Sequence, residues 1–185
     1  MNVLEALRRR RTIRTYEKDY QIPKETLETI INAGLDAPTA KNVQEIDLIV
    51  ITNREKIDQL TDHVFNSWGP DLQGAFGKRR EDFGVKNPIT GDASCLVLLV
   101  KNERADPIFL GIDTGIITMT LLQAAQNFNL DSMCCGCMLW GDVEGLEKVA
   151  GIPKGSFMMA VAIGKAIENP FIRPKSRIAK ATYIE

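Results

Sequence analysis

Three arginines and a threonine lie within five residues near the start of the chain, in the run Arg10-Arg11-Thr12-Ile13-Arg14. Guanidinium groups bind phosphate and carboxylate oxygens through paired hydrogen bonds, and a hydroxyl adds a further donor. An anion site is one interpretation, and a solvated helix end is the commoner one for an arginine cluster taken alone. Nucleic acid is a weaker candidate, because the run is short and only Tyr16 and Tyr20 offer aromatic rings nearby.

A second basic group lies near the end of the chain, where Lys175-Ser176-Arg177 follows Pro174. It could bind a phosphate, although a basic tail is the simpler interpretation. Residues 8–14 carry +5 and residues 173–180 carry +4, so a net charge of −1 leaves −10 for the rest of the chain. Positive charge at both ends of an otherwise acidic chain predicts that the two ends meet around one anion.

The segment from Ala37 to Gln44 carries polar side chains on a predicted loop. Pro38 fixes a turn, and Thr39, Asn42 and Gln44 then offer hydrogen-bond donors and acceptors. Taken alone, a helix stop that leads into a strand explains this segment equally well.

Other familiar chemistry has little support. The sequence has no GxGxxG after a predicted strand and no GxSxG elbow. A hydrolase triad would need His63, the only histidine, which we interpret as a surface residue of a predicted helix. Cys95, Cys134, Cys135 and Cys137 lack the paired spacing of a zinc site, so we expect reduced thiols and no metal.

The elements that must position these residues follow from the hydrophobic pattern. Helices are predicted over 3–10 with Asn2 as N-cap, from Pro23 to Ala37, around Ile57 to Trp68, over 109–128 and over 143–150, and strands over 45–52, 95–100 and 157–163. The stretch from Gly69 to Thr90 is rich in glycine, proline and charge, and we expect a mobile excursion there. The helix over 109–128 is apolar on most sides, which predicts burial in a subunit interface.

Length and composition are those of one globular domain. The chain has 185 residues, of which 44% are hydrophobic and 25% charged. No apolar run reaches the roughly 18 residues of a membrane span, and the basic start lacks the apolar core of a signal peptide, so we expect a cytoplasmic protein. The order of elements is mixed rather than alternating, which favours an α+β fold.

Together these segments resemble the nitroreductase family of FMN-dependent oxidoreductases. Residues 10–14 are similar to its RRSxR element, Ala37–Gln44 to its APSAxNxQ element, and Pro174–Arg177 to its PKSR-type phosphate contact. Asp92-Ala93-Ser94, Asp113-x-Gly115 and residues 130–137 occupy the expected places. The resemblance spans nearly the whole chain and implies an α+β fold, namely an α/β/α sandwich with a central, mainly antiparallel sheet in an interlocked homodimer. It implies one domain over 1–185, with 66–90 as a variable excursion and 165–185 as a basic C-terminal extension.

The resemblance also implies a cofactor, FMN, and a set of residues that bind it. From one subunit these are Arg10, Arg11, Thr12, Arg14, Lys175 and Arg177, around the phosphate, ribityl chain and pyrimidine edge. From the partner subunit they are Pro38, Thr39, Asn42 and Gln44. The segment Cys135-Gly136-Cys137 lies against the isoalloxazine, where a backbone N–H can face N5. No side chain is assigned as catalytic, because the flavin carries the chemistry.

The implied reaction is hydride transfer from NADH or NADPH to FMN, followed by transfer of two electrons to a nitroaromatic or quinone-type acceptor in a ping-pong mechanism. The implied partners are a second copy of the chain and a small-molecule acceptor, without nucleic acid or membrane. The alternative is a flavin-binding or sensing protein of the same fold with little turnover.

The chain departs from the family pattern in three places. Thr12 and Thr39 replace the usual serines and keep a hydroxyl, and Glu45-Ile46 stands where Pro-Trp is frequent. A carboxylate at position 45 would disfavour an anionic flavin or substrate nearby. The thiols at 134, 135 and 137 are also unusual near a flavin, and we hypothesise that one of them makes the enzyme sensitive to oxidation.

Overall fold

A computed structural model describes residues 2–184 as helices packed on both faces of one sheet. In chain order the elements are α1 (Val3–Arg9), α2 (Lys24–Leu35), a short 3-10 helix (Ala40–Asn42), β1 (Ile46–Ile51), α3 (Arg54–Ser67), α4 (Pro70–Phe83), β2 (Cys95–Lys101), α5 (Leu110–Asn127), β3 (Asp131–Cys134), a second 3-10 helix (Gly136–Trp140), α6 (Val143–Ala150) and β4 (Phe157–Gly164).

The sheet is antiparallel throughout, with strand order β1–β2–β4–β3. Side chains alternate between the two faces of a strand, so the buried central strand β2 contributes to two apolar layers. Leu96 and Leu98 belong to the layer that contains α3 and α6, whereas Val97 and Leu99 belong to the layer that contains α2 and α5. This arrangement confirms the predicted α/β/α sandwich with an antiparallel centre.

Most predicted elements are confirmed to within a few residues. The helix predicted over 109–128 covers Leu110–Asn127, and the strand predicted over 157–163 covers Phe157–Gly164. Asn2 caps α1 as expected, since its side-chain oxygen accepts a hydrogen bond from the Glu5 N–H at 2.9 Å.

The excursion predicted from Gly69 to Thr90 instead contains the 14-residue helix α4. Pro70 occupies its first turn, where the missing N–H costs no helical hydrogen bond, and Gly84 ends it in the left-handed conformation at φ 64°. The ring of Phe76 is buried against Trp68, with 4.6 Å between ring centres. This contact packs α4 on the core. The helix was not predicted because the glycines and charged residues of this stretch favour a loop.

Strand β3 has no counterpart in the sequence-based prediction. It has only four residues, and two of them, Asp131 and Ser132, are polar. It pairs with the end of β4, from Val161 to Gly164, and this pairing rather than its own residue pattern makes it a strand.

Helix α5 buries much of its apolar surface within one protomer. Ile117, Leu121 and Ala125 pack in the layer that contains α2, so the apolar character of α5 does not by itself require a subunit interface. Ile112 and Met119 on the same helix remain 59% and 38% exposed. They are outward-facing apolar side chains of the kind that a second subunit covers.

The arginine-rich segment lies along the outer edge of β3. Thr12 forms a parallel bridge with Ser132, and the Ile13 N–H donates to the Ser132 carbonyl at 3.4 Å. On its other side the segment touches Gly91, which has φ 64° and is so close that a Cβ there would overlap the Arg14 carbonyl. The direction of the arginine run is therefore fixed by backbone contacts on both sides.

None of the helices that the structure describes is long and apolar enough to cross a membrane. Between residues 2 and 184, histidine, cysteine and carboxylate side chains form no group of three that could hold a metal ion. His63 is partly exposed on α3, and its Nε2 lies 3.2 Å from Asp142 Oδ2.

We expect Gly91→Ala to lower the free energy of unfolding by about 2–4 kcal/mol, because the added Cβ is strained at positive φ and overlaps the Arg14 carbonyl. Urea denaturation measures this loss as a lower midpoint with an unchanged slope. Gly84→Ala is the matched control, since Gly84 has the same φ and no atom within 4 Å of the added Cβ. Its expected loss is about 1–2 kcal/mol. Equal losses for the two variants would contradict the role of the close approach.

Candidate cofactor site

Both ends of the chain line one small cleft. Its volume is about 160 Å³, and its lining residues are Arg10, Arg11, Thr12, Arg14, Arg173, Pro174 and Lys175. The two basic groups therefore meet, as the distribution of charge along the sequence predicts.

The protein itself does not neutralise these cations. Between residues 2 and 184, no carboxylate forms a salt bridge with Arg10, Arg14, Arg173 or Lys175. Burial lowers the pKa of Arg14, and the nearby charges of Arg173 and Arg79 lower it further. Like charges that converge on a partly buried guanidinium favour the binding of an anion.

Two of the predicted basic residues, Arg11 and Arg177, differ from the rest of the predicted set. Arg11 already forms hydrogen bonds within its own segment, because its Nη1 donates to the carbonyls of Arg8 and Arg10 at 2.7 and 3.0 Å. Arg177 does not line this cleft and is exposed on the extended tail. Arg173, which was not in the predicted set, lines the cleft in addition to Lys175.

A larger cleft of about 710 Å³ lies elsewhere, between the ends of β1 and β2 and the turn after α6. Its lining mixes acids and bases, among them Asp47, Glu103, Lys101 and Arg104. Asn102 already bridges part of it by donating to Asp47 Oδ1 at 3.0 Å. Because its charges are mixed, it has less attraction for an anion than the arginine cleft.

The segment Cys135-Gly136-Cys137 follows β3 and lies close to the arginine cleft. The Cys135 N–H donates to the Ala160 carbonyl at 2.8 Å, and the second 3-10 helix begins at Gly136. The first N–H groups of such a helix have no acceptor within it, so they can serve a ligand. Arg79 and Arg14 are close enough to Cys137 to influence its pKa.

Burial dominates the titration of the three clustered thiols. It raises the pKa of Cys134, Cys135 and Cys137, the last to about 11. The charge of Arg10 beside Cys134 and of Arg79 beside Cys137 offsets only part of this effect. Cys137 is therefore a protonated thiol at neutral pH, which weighs against its own ready oxidation, since the thiolate is the reactive form, whereas Cys134 is exposed and stays a candidate for oxidation.

The predicted partner loop, from Pro38 to Gln44, lies at the opposite edge of the sheet. It leads into β1 at one end of the strand order, whereas residues 10–14 flank β3 at the other end. With neighbouring strands about 4.8 Å apart, the sheet separates the two segments by roughly 15–20 Å. One protomer therefore does not bring Thr39, Asn42 and Gln44 to the arginine cleft.

Hydrogen bonds hold this loop in an unusual backbone conformation. Asn42 and Gln44 have φ of 55° and 52°, and the Gln44 N–H donates to Thr39 Oγ1 at 3.1 Å. Asp113 Oδ2, in the first turn of α5, accepts from the Ala40 N–H at 2.9 Å. The loop is therefore held in place from within its own protomer.

Glu45, the carboxylate that departs from the family pattern, turns inward from this loop. Its side chain is fully buried, and one carboxylate oxygen accepts from the Asp106 N–H at 2.5 Å. The other has no hydrogen-bond partner among the described residues. Glu45 therefore does not face outward beside the polar groups of the loop.

Arg79 on α4 is a further cation that the sequence analysis did not select. Its guanidinium lies 3.7 Å from the centre of the Phe76 ring. Burial lowers the pKa of Arg79, the nearby Cys137 sulfur raises it, and the charge of Arg173 lowers it further. The three-residue spacing of Phe76 and Arg79 is a helical pattern, but it lies in a stretch whose glycine content favoured a loop.

Sequence comparison finds relatives along almost the whole chain. The model of the nitroreductase family matches residues 7–165. A protein of Methanothermobacter thermautotrophicus provisionally named NADH dehydrogenase/NAD(P)H nitroreductase is 29% identical over 175 residues, which are 94% of this chain and 82% of the relative. The NADPH-flavin oxidoreductase of Vibrio harveyi is 24% identical over 176 residues, which are 94% of this chain and 70% of the relative.

Structural comparison gives the same result for the fold. The crystal structure of a nitroreductase with bound FMN from Desulfitobacterium hafniense superposes with a TM-score of 0.81 at 24% sequence identity, covering 100% of both chains. Because the family model spans most of the chain and the fold agrees over its full length, this chain belongs to the nitroreductase family.

Proposed function

We propose that this nitroreductase-family protein is an FMN-dependent oxidoreductase that transfers two electrons from NADH or NADPH to a nitroaromatic or quinone-type acceptor. The observation that carries the proposal is the convergence of cations from both chain ends on one cleft, unneutralised by the described carboxylates. The names of the two sequence relatives support the donor and the type of reaction, and the FMN of the Desulfitobacterium hafniense structure supports the cofactor.

The donor set fits the phosphate of FMN. A phosphate monoester carries about −2 charge and offers several acceptor oxygens. Arg10, Arg14 and Lys175 provide full positive charges on the cleft wall, and Thr12 adds a hydroxyl. Charge-assisted hydrogen bonds contribute roughly 1.5–3 kcal/mol each, so a few of them suffice to hold the cofactor.

The rest of the flavin would extend from this cleft toward Cys135-Gly136-Cys137. Arg11 and Thr12 are the residues that we assign to the ribityl chain and pyrimidine edge. When FMN is bound, it supplies the atom that accepts the hydride and the two electrons that the acceptor receives. The chain would contribute position, since a backbone N–H at the start of the second 3-10 helix could donate to the flavin, and no side chain is assigned as acid or base.

A second copy of the chain would complete the site. The loop residues Pro38, Thr39, Asn42 and Gln44 lie at the sheet edge opposite the arginine cleft, which supports their assignment to the flavin from a partner subunit. Exposed apolar side chains such as Val3, Leu4 and Ile112 provide surface for such an interface. Obligate interfaces bury about 2,000–5,000 Å² and resemble a protein core. Donor and acceptor would then use one open flavin face in turn, which gives ping-pong kinetics.

We expect protein purified without added flavin to be yellow, to lose its visible flavin band when NADH or NADPH is added under nitrogen, and to regain it with a nitroaromatic. The nicotinamide that bleaches faster identifies the preferred donor, and parallel double-reciprocal plots check the ping-pong order. A yellow protein that neither nicotinamide bleaches would point to a flavin-binding protein with little turnover. A colourless protein that takes up no FMN would refute the cofactor site.

A mixed dimer tests the shared site. We expect Arg14→Gln to weaken FMN binding on one side of the site and Asn42→Gly to weaken it on the other, with glycine chosen because it tolerates the positive φ of Asn42. Co-expression with two affinity tags isolates the heterodimer, in which one of two sites is intact by symmetry. It should hold about half of the wild-type flavin, measured by absorbance. Flavin content no higher than that of the two mutant homodimers would contradict the shared site.

The raised pKa of Cys137 predicts its reactivity. With a pKa of about 11, the thiolate is roughly 10⁻⁴ of the total at pH 7 and increases about tenfold per pH unit below 11. We expect alkylation by iodoacetamide to follow this slope from pH 7 to 10, measured by intact mass, and Cys137→Ser to remove that component. Peroxide at neutral pH should cause no loss of activity that Cys137→Ser prevents, and such a loss would show that the thiol is more acidic than its burial implies.

A further inference from the structure

Helix α4 carries three aligned side chains on one face, and the last of them contacts the C-terminal segment that leads to the arginine cleft. Phe76, Arg79 and Phe83 are three and four residues apart, so they lie one above another on the helix. Phe76 is buried in the core against Trp68 and fixes the rotation of the helix. Because Phe76 fixes the rotation of α4, it also fixes the direction in which Arg79 and Phe83 leave the helix.

The last of these residues holds the C-terminal segment. The rings of Phe83 and Phe171 stack with 5.7 Å between their centres and 23° between their planes. Arg173, which lines the cleft, follows Phe171 by two residues, a reach of at most about 7 Å. The stack therefore limits where the Arg173 guanidinium can lie relative to Arg14.

Arg79 lies one helical turn before Phe83, on the face of α4 whose last ring contacts the C-terminal segment. Its guanidinium packs on the Phe76 ring at 3.7 Å, and between residues 2 and 184 it makes no salt bridge with a carboxylate. Its charge and that of Arg173 both act on Arg14. A guanidinium that stacks on a ring keeps its in-plane N–H groups free to bind an anion.

We propose that Arg79 binds the phosphate of FMN together with Arg14 and Arg173, and that Phe83 is a positioning residue that holds Arg173 in place through Phe171. This inference rests on the proposed function and adds a residue of α4 to the two segments that line the phosphate site, namely the N-terminal arginine run and the C-terminal segment. Three guanidiniums match the several oxygens and double charge of a phosphate monoester better than two.

Flavin binding to the apoprotein tests the role of Arg79, with FMN and riboflavin titrated separately and flavin fluorescence as the readout. Riboflavin lacks the phosphate, so it reports the rest of the site. We expect Arg79→Gln to raise the Kd for FMN about tenfold or more, as the loss of one charge-assisted hydrogen bond implies, and to leave the Kd for riboflavin unchanged. Arg79→Lys should recover part of the lost FMN affinity, because it restores the positive charge but not the paired hydrogen bonds of the guanidinium.

Lys78→Gln is the matched control, since it removes one positive charge from the exposed neighbouring position of the same helix. A rise in the FMN Kd that is the same for Arg79→Gln and Lys78→Gln would reduce the effect to net charge and overturn the inference. An equal loss for FMN and riboflavin would also overturn it, because Arg79 would then serve the flavin ring or the fold.

The positioning role of Phe83 has its own test. We expect Phe83→Leu to raise the FMN Kd several-fold with no change for riboflavin, and Phe83→Tyr, which keeps the stacked ring, to restore it. A loss that Phe83→Tyr does not restore, or that extends to riboflavin, would overturn this role. Wild-type protein that binds neither flavin would refute the proposed function itself, whereas wild-type binding of FMN with unaffected Arg79 and Phe83 variants would refute only this inference.

Discussion

The structure depends on holding like charges together. The backbone brings cations from residues 10–14 and 173–175 to one cleft, and the described carboxylates do not compensate them there. Mutual repulsion would separate these segments if they were free. The N-terminal segment is held because Thr12 is bridged to Ser132 and the turn at Gly91 packs against Arg14, and the C-terminal segment contacts α4 through the stack of Phe171 on Phe83. The fold thus maintains a positive potential that an anionic ligand relieves, and by linkage that ligand stabilises the folded state.

The sheet explains why one protomer would hold only part of the proposed site. Different segments lie at its two edges: the arginine segment lies beside β3, and the polar loop precedes β1. Four strands lie between them, and no rearrangement of side chains spans that width. A site that uses both edges therefore requires two copies in which the β3 edge of one faces the loop of the other. Closed two-fold symmetry satisfies this requirement twice.

Much of this architecture could be predicted from the sequence, because the informative segments are long or chemically distinctive. The length of the apolar stretch gives α5 to within a residue or two, and the short β-prone apolar run gives β2. The positive charge of the arginine run and of the basic tail predicted that these two segments lie together. What the sequence did not reveal depends on tertiary contacts: β3 exists through pairing with β4, and α4 is held by the burial of Phe76 against Trp68.

The same reason explains the mixed outcome at the site. Arg10, Arg14 and Lys175, which line the cleft, could be predicted because basic segments at both ends of an otherwise acidic chain together indicate one anion site. Arg79 was missed because its relevance arises only once α4 is folded and its charge reaches Arg14. Arg177 shows the converse, since its type is suggestive but the direction of the extended tail carries it away from the cleft.

The backbone of the polar loop limits how this protein can evolve. Lys41, Asn42 and Gln44 all adopt positive φ, between 52° and 55°, a conformation that costs most residues about 1–2 kcal/mol and that β-branched residues rarely adopt. Exchange of these side chains for valine, isoleucine or threonine would disturb the loop before it altered any contact with a ligand. Variation at these three positions is therefore confined to glycine, asparagine, aspartate and unbranched residues. A change in the specificity of the proposed site through these three positions can therefore use only a few residue types.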